Sequence, residues 1–109
     1  MNQFVAEKKL YAKLAVKVGL NLQKGQPLII MAPVETLDLV RYVTDEAYKA
    51  GASDVTVFYQ DNELFMSRLR YADDVTTINQ WVPAGIEKAF SEGASRLVIL
   101  GDSPEIPED

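Results

Sequence analysis

Neither cysteine nor histidine occurs in the 109 residues. The first absence excludes disulfides, thiolate nucleophiles and zinc ribbons, and it agrees with a reducing compartment. The second excludes a Ser-His-Asp triad, imidazole ligation of a metal and the general base most often used near neutral pH. Carboxylates, lysines, tyrosines and hydroxyls are left for chemistry. Positive charge is also in short supply. Lys plus Arg total 11 against 16 Asp plus Glu, a formal charge of -5 that disfavours nucleic acid and anionic membrane as partners. No apolar run approaches the ~20 residues of a membrane span. The opening MNQFVAEKKL lacks a continuous apolar stretch of signal-peptide length. The expected location is the cytoplasm.

Sequence motifs that would announce a cofactor are missing too. There is no GxGxxG, Walker A, GxSxG, HExxH or EF-hand pattern, so dinucleotide, nucleoside triphosphate and zincin chemistry have no positive signal. One basic stripe exists, Lys9, Lys13 and Lys17 at successive i+4 positions. Such a row is ordinarily the wet face of an amphipathic helix.

What is present is dense α/β punctuation. Residues 18–35, VGLNLQKGQPLIIMAPVE, hold a helix stop, a turn, a buried strand and a helix start. Gly19 suits a left-handed helix C′ position, and Lys24, Gly25, Gln26 and Pro27 form a turn. Leu28 to Ala32 is unbroken apolar sequence, which fits a strand covered on both faces. Pro33 and Glu35 then favour a helix N-terminus.

The remaining elements follow by periodicity. A first helix over residues 3–18 is predicted to turn Phe4, Tyr11, Leu14, Ala15 and Val18 toward the sheet. A second, over 34–50, buries Leu37, Val40, Val43 and Ala47 and stops at Gly51. Strand two, 54–60, alternates partly and reads as an edge. Asp61 or Asn62 caps a helix through Ala72 that buries Leu64, Phe65, Leu69 and Met66. Asp73 and Asp74 open a short helical turn carrying Val75, Ile78 and Trp81, and Pro83 breaks it at Val82. Ile86, Ala89, Phe90 and Gly93 mark the last helix, and strand three, 96–100, is apolar throughout. Trp81, Tyr59 and Tyr71 are expected to seal the core rather than line a pocket.

Alternation of helix and strand argues for a three-layer α/β fold: a mostly parallel sheet in order 2-1-3, strand one central, with helices on both faces. The segments Ala50-Gly51-Ala52-Ser53 and Glu92-Gly93-Ala94-Ser95 echo each other as helix stops feeding strands. Strand three is too apolar for an unprotected edge. Residues 1–101 therefore read as an incomplete domain, and 102–109, DSPEIPED, as an acidic, proline-containing linker.

In such sheets ligands gather at the carboxyl ends of the strands. Glu35, Asp61, Glu63 and Asp102 fall there and could share a rim able to hold a divalent cation through oxygens. Equally, Glu35, Asp61 and Glu63 sit where helix starts favour negative charge. No catalytic, cofactor-binding or metal-ligating residue is assigned.

One resemblance is carried by Gly19-Leu20-Asn21, Gln23-Lys24-Gly25-Gln26, the first strand, Ala32-Pro33-Val34-Glu35, Ala47-Tyr48, Ala50-Gly51-Ala52, Val55, Val57 and Asp61. In order and spacing these residues are similar to the start of the metal-dependent aminopeptidases of the thermophilic aminopeptidase T type, which include AmpS and PepS enzymes. The likeness spans residues 10–101 and lies in packing and turn positions. It implies the N-terminal domain of a longer cytoplasmic homodimeric enzyme that removes N-terminal amino acids from peptides. It further implies a dinuclear centre of cobalt, zinc or magnesium, held in a C-terminal domain by histidines and carboxylates. The N-terminal domain would then serve as scaffold, as dimer or interdomain contact, or as a wall limiting access, and would be inactive alone. The alternative is a stand-alone binding module of the flavodoxin or receiver kind, though those folds need about five strands.

Overall fold

The structure, a computed structural model, describes residues 3–101. Its elements run α1 (Gln3–Leu14), a π-helical turn (Ala15–Gly19), β1 (Pro27–Pro33), a 3-10 turn (Val34–Thr36), α2 (Leu37–Lys49), β2 (Asp54–Gln60), α3 (Asn62–Tyr71), α4 (Trp81–Ser91) and β3 (Ser95–Val98). The strands form a parallel sheet in order β2-β1-β3, the 2-1-3 arrangement that alternation predicts. Pro27 to Pro33 pair in register with Asp54 to Gln60 on one side of β1, and Leu28 to Met31 pair with Ser95 to Val98 on the other.

Because β1 has a neighbour on each side, its side chains are enclosed. Leu28, Ile30 and Ala32 project to one face and join Ala12 and Val16, Val40, Val43 and Ala47 of α2, and Ile99 in a single buried cluster. Ile29 is buried on the opposite face. There α4 stands over the sheet, its Val82, Ile86, Ala89 and Phe90 half-buried and Arg96 of β3 lying 5.9 Å from the Phe90 ring centroid. The reversal of travel from β2 across β1 to β3 moves the connecting helix to the second face if both crossovers are right-handed.

The two helix stops match their echo in sequence. Ala52 N–H donates to Ala47 O and Gly51 N–H to Tyr48 O, both at 3.0 Å, while Ala94 N–H donates to Ala89 O and Gly93 N–H to Phe90 O, again at 3.0 Å. Each is a Schellman cap with its glycine at positive φ, 99° at Gly51 and 98° at Gly93. Gln26 ties both stops to the start of β1: its carbonyl accepts from Ser53 N–H and its side-chain amide donates to Gly93 O.

Five expectations are corrected. The first concerns α1 and the π turn that ends it, which bury Ala12 and Val16 respectively while Phe4, Tyr11, Leu14 and Val18 stay exposed. The helix carries two apolar stripes, and the one with short side chains lets it approach α2 and β1 closely. Second, Gly19 is not left-handed. The helix ends through the π turn, with Leu20 N–H reaching Ala15 O at 2.7 Å, and Asn21 takes the positive φ of 48°. Asn tolerates that region by bonding locally.

Third, α3 has no buried residue: Leu64, Phe65, Met66 and Leu69 are exposed rather than buried. Fourth, residues 73–80 form no helix, and Pro83 does not break one but sits in the first turn of α4, where its missing N–H has no intrahelical acceptor to lose. Fifth, Trp81, Tyr59 and Tyr71 are exposed rather than sealing the core, Trp81 by 74%.

Two stability outcomes follow from these positions. Ile30→Ala, at a fully buried site, should cost about 2 to 5 kcal/mol, whereas Leu14→Ala on the exposed stripe should stay within about 0.5 kcal/mol; urea unfolding compares them. A Cβ at Gly51 would lie 2.9 Å from Lys24 Cγ and 3.1 Å from Lys24 Cα, whereas one at Gly93 meets nothing within 4 Å. Gly93→Ala should therefore cost about 1 kcal/mol from backbone conformation alone, and Gly51→Ala distinctly more in the same assay.

Candidate functional site

The carboxyl rim of the sheet is where chemistry was expected. Glu35 lies in the 3-10 turn after β1, whose Thr36 is buried and donates its hydroxyl to Pro33 O at 2.7 Å. Asp61 N-caps α3 by accepting the Glu63 N–H at 3.2 Å, and Glu63 occupies the first turn of that helix. Asp102 lies outside the described residues. Asp61 and Glu63 thus serve the helix start, where negative charge meets unpaired N–H groups.

Glu35 lines a cleft of about 270 Å³ between α1 and α2. Phe4, Tyr11 and Leu39 form its apolar lining, and Glu7, Lys8, Glu35 and Asp38 sit around it. Among the described residues no three acidic side chains come together in a way that could hold a metal ion. The rim is a set of separate helix starts rather than one cradle.

A second cleft, of about 340 Å³, opens between α4 and the sheet. It is lined by Ile29, Thr56 and Phe58 from the strands and Trp81, Val82 and Ile86 from the helix. Trp81 stands at this cleft, the alternative to a core role for its ring. Periodicity missed the placement because it counted the tryptophan into a helical turn that does not form. The cleft presents apolar surface and no cluster of titratable groups.

The connection between α3 and α4 is held by charge. Arg68 donates from Nε and Nη2 to Val75 O at 3.3 and 3.0 Å, and from Nη2 to Thr77 O. Asp74 accepts from the Thr76 N–H at 2.9 Å, the Thr76 hydroxyl at 2.6 Å and the Thr77 hydroxyl at 2.7 Å. The hydroxyls of Thr76 and Thr77, then the Thr76 amide and more weakly the Arg68 guanidinium, hold the Asp74 carboxyl at about 2, below its ordinary 3.8. This is a loop staple, and none of its residues lines either cleft.

Comparison with known proteins decides what the fold belongs to. The family model described as thermophilic metalloprotease (M29) matches residues 5–109. The chain belongs to the M29 family. It is 42% identical over 110 residues to aminopeptidase T of Thermus thermophilus, covering 99% of this chain and 27% of that one. It is 33% identical to aminopeptidase AmpS of Bacillus subtilis, with 97% and 26% covered. The solved structure of wild-type AmpT from Thermus thermophilus superposes with a TM-score of 0.85 at 43% identity, covering 93% of this chain and 26% of that chain. The M29 chain therefore spans about a quarter of the length of the curated relatives it matches.

A metalloprotease family implies a metal, but the donor set described here does not fit one. Histidine and cysteine are absent from the whole sequence, and the described carboxylates do not converge.

The Asp74 staple yields a pH outcome whose sign follows from a lowered carboxyl pKa. Its contribution should be complete above 3.8 and disappear as pH falls through about 2. In NMR titrations of the M29 chain, the Thr76 amide resonance should move with a midpoint near 2 rather than 3.8. Asp74→Asn should abolish that titration; a midpoint at the ordinary value would show that the hydrogen bonds do not persist in solution.

Proposed function

We propose that this chain is the N-terminal domain of a metal-dependent aminopeptidase that releases N-terminal amino acids from peptides, with the catalytic metal centre built by polypeptide outside it. The observation that carries the reading is a family match over residues 5–109 in a chain that spans 27% of aminopeptidase T. Absence of histidine and cysteine supports it, because a hydrolytic metal site usually draws on such donors.

In this reading the domain acts as scaffold, as dimer or interdomain contact, and as a wall limiting access to the catalytic chamber. The metal would be cobalt, zinc or magnesium, and its chemistry would be to activate water and polarise the scissile carbonyl. The working assembly is a homodimer in the cytoplasm acting on peptides, with no nucleic-acid or membrane partner. Among the described residues no helix is long and apolar enough to cross a membrane. A stand-alone flavodoxin-like or receiver-like module has less support, since those folds are built on about five strands and three are described here.

The longer polypeptide should hydrolyse amino-acid 4-nitroanilides, lose that activity on treatment with a chelator, and regain it with cobalt, zinc or magnesium. Residues 1–109 alone should leave the same substrates intact at equal molarity. Turnover by the 109-residue chain, or a longer enzyme indifferent to chelation, would overturn the proposal.

A further inference from the structure

We propose that the cleft between α1 and α2 binds the N-terminal residue of a peptide, its α-ammonium among the carboxylates of the lining and an apolar side chain on the floor. Choosing a peptide over another amphipathic amine rests on the reading above that the chain belongs to an aminopeptidase.

Helical spacing builds one wall. Phe4, Glu7, Lys8 and Tyr11 stand at i, i+3, i+4 and i+7 of α1, a single face, and all four line the cleft. That face is left over because Ala12 and Val16 make the core contact, and Phe4 and Tyr11 are exposed by 74% and 48%. The opposite wall is the start of α2: Glu35 and Thr36 of the 3-10 turn, then Asp38 and Leu39. Thr36 is buried and donates its hydroxyl to Pro33 O. Carboxylates and the Lys8 ammonium therefore remain to meet a ligand.

Charge selects the occupant. Three carboxylates, Glu7, Glu35 and Asp38, stand against the one ammonium of Lys8. Among the described residues Lys8, Glu35 and Asp38 form no ion pair. Glu7 accepts from the Gln3 amide at 3.1 Å, a neutral donor that leaves its charge uncompensated. Anions at a helix start answer the helix dipole, which accounts for Glu35 and Asp38. It does not account for Glu7 on the facing wall or for the apolar floor between them. The carboxylates surround the space without converging as metal ligands would, so the cation they suit is an organic one that carries apolar bulk.

Size narrows the choice to one residue. About 270 Å³ lies just below the span of small-molecule sites, about 300 to 1,000 Å³. Phe4, Tyr11 and Leu39 suit an aromatic or branched side chain, and the two rings also attract a cation through their faces. A free amino acid offers the same side chain and ammonium, but adds an α-carboxylate that the acidic lining repels. In a peptide that group is a neutral amide.

Titrating the full M29 chain with phenylalanyl-glycine amide, followed by NMR, tests the assignment. At about pH 6 the α-amino group, which ordinarily titrates at about 7.7 to 8.0, is an ammonium. Tyr11 ring and Leu39 methyl resonances should shift saturably while the Trp81 indole stays in place. Glu35→Gln combined with Asp38→Asn should weaken binding on the order of tenfold, and Lys8→Gln should tighten it by about twofold to fivefold, as exposed charge pairs allow. The N-acetylated peptide, with the same side chain and no charge, should bind on the order of tenfold more weakly. Absence of a saturable shift, indifference to the carboxylate substitutions or to acetylation, weaker binding on Lys8→Gln, or free phenylalanine binding as tightly as the peptide would each overturn the inference. Those failures leave the aminopeptidase reading standing, because it is carried by the family match. A longer polypeptide that leaves 4-nitroanilides intact would defeat that reading whatever the titration gives.

Discussion

All strand pairing in this sheet passes through β1. Its peptide groups bond β2 on one side and β3 on the other, and its Leu28, Ile30 and Ala32 meet α1 and α2 in one cluster. A strand so placed must be apolar on both faces, and LIIMA is. The remaining order depends on it: α2 has its inner face fixed by contact with Ile30 and its neighbours, and Gln26 joins the start of β1 to both Schellman turns. Loss of β1 would leave two strands with no partner.

What was legible in the sequence follows the strength of local constraint. Two helix stops and the three-strand order could be read because Gly51 and Gly93 have few conformational substitutes and parallel strands impose a crossover. The inner face of α2 could be read because that helix carries a single apolar stripe. The face of α1 could not, since Phe4, Tyr11, Leu14 and Val18 form one stripe and Ala12 and Val16 belong to another. Periodicity identifies a face but does not rank two of them. The close approach of α1 to α2 decides for the smaller residues, and only packing reveals that.

The rim illustrates the same limit. Placing Glu35, Asp61 and Glu63 at strand ends needed only topology, and the structure puts them there. Whether carboxylates converge depends on side-chain direction, which spacing does not encode. Glu35 lines the α1–α2 cleft while Asp61 accepts the Glu63 N–H. Family likeness filled the gap that residue chemistry left, because it lies in turn and packing positions that this chain retains.

Several large apolar residues lie outside the core. Phe4 on α1, Val18 in the π turn after it, Leu64 and Phe65 on α3 and Trp81 on α4 are all well exposed. Burying one such side chain fully is worth about 1.5 to 3 kcal/mol, so several of them left in water withhold a sum comparable to the net stability of a small domain, about 5 to 15 kcal/mol. If the chain is part of a longer enzyme, as proposed, the apolar surface spread over these three helices is where the rest of that enzyme would pack. A domain whose own core is confined to β1, α2 and the small-residue face of α1 gains rigidity when those surfaces are covered. Its shape would then be set jointly with the polypeptide that covers it. The access-wall role proposed above would depend on that coupling, since a wall held only by its own modest core would open locally at low free-energy cost.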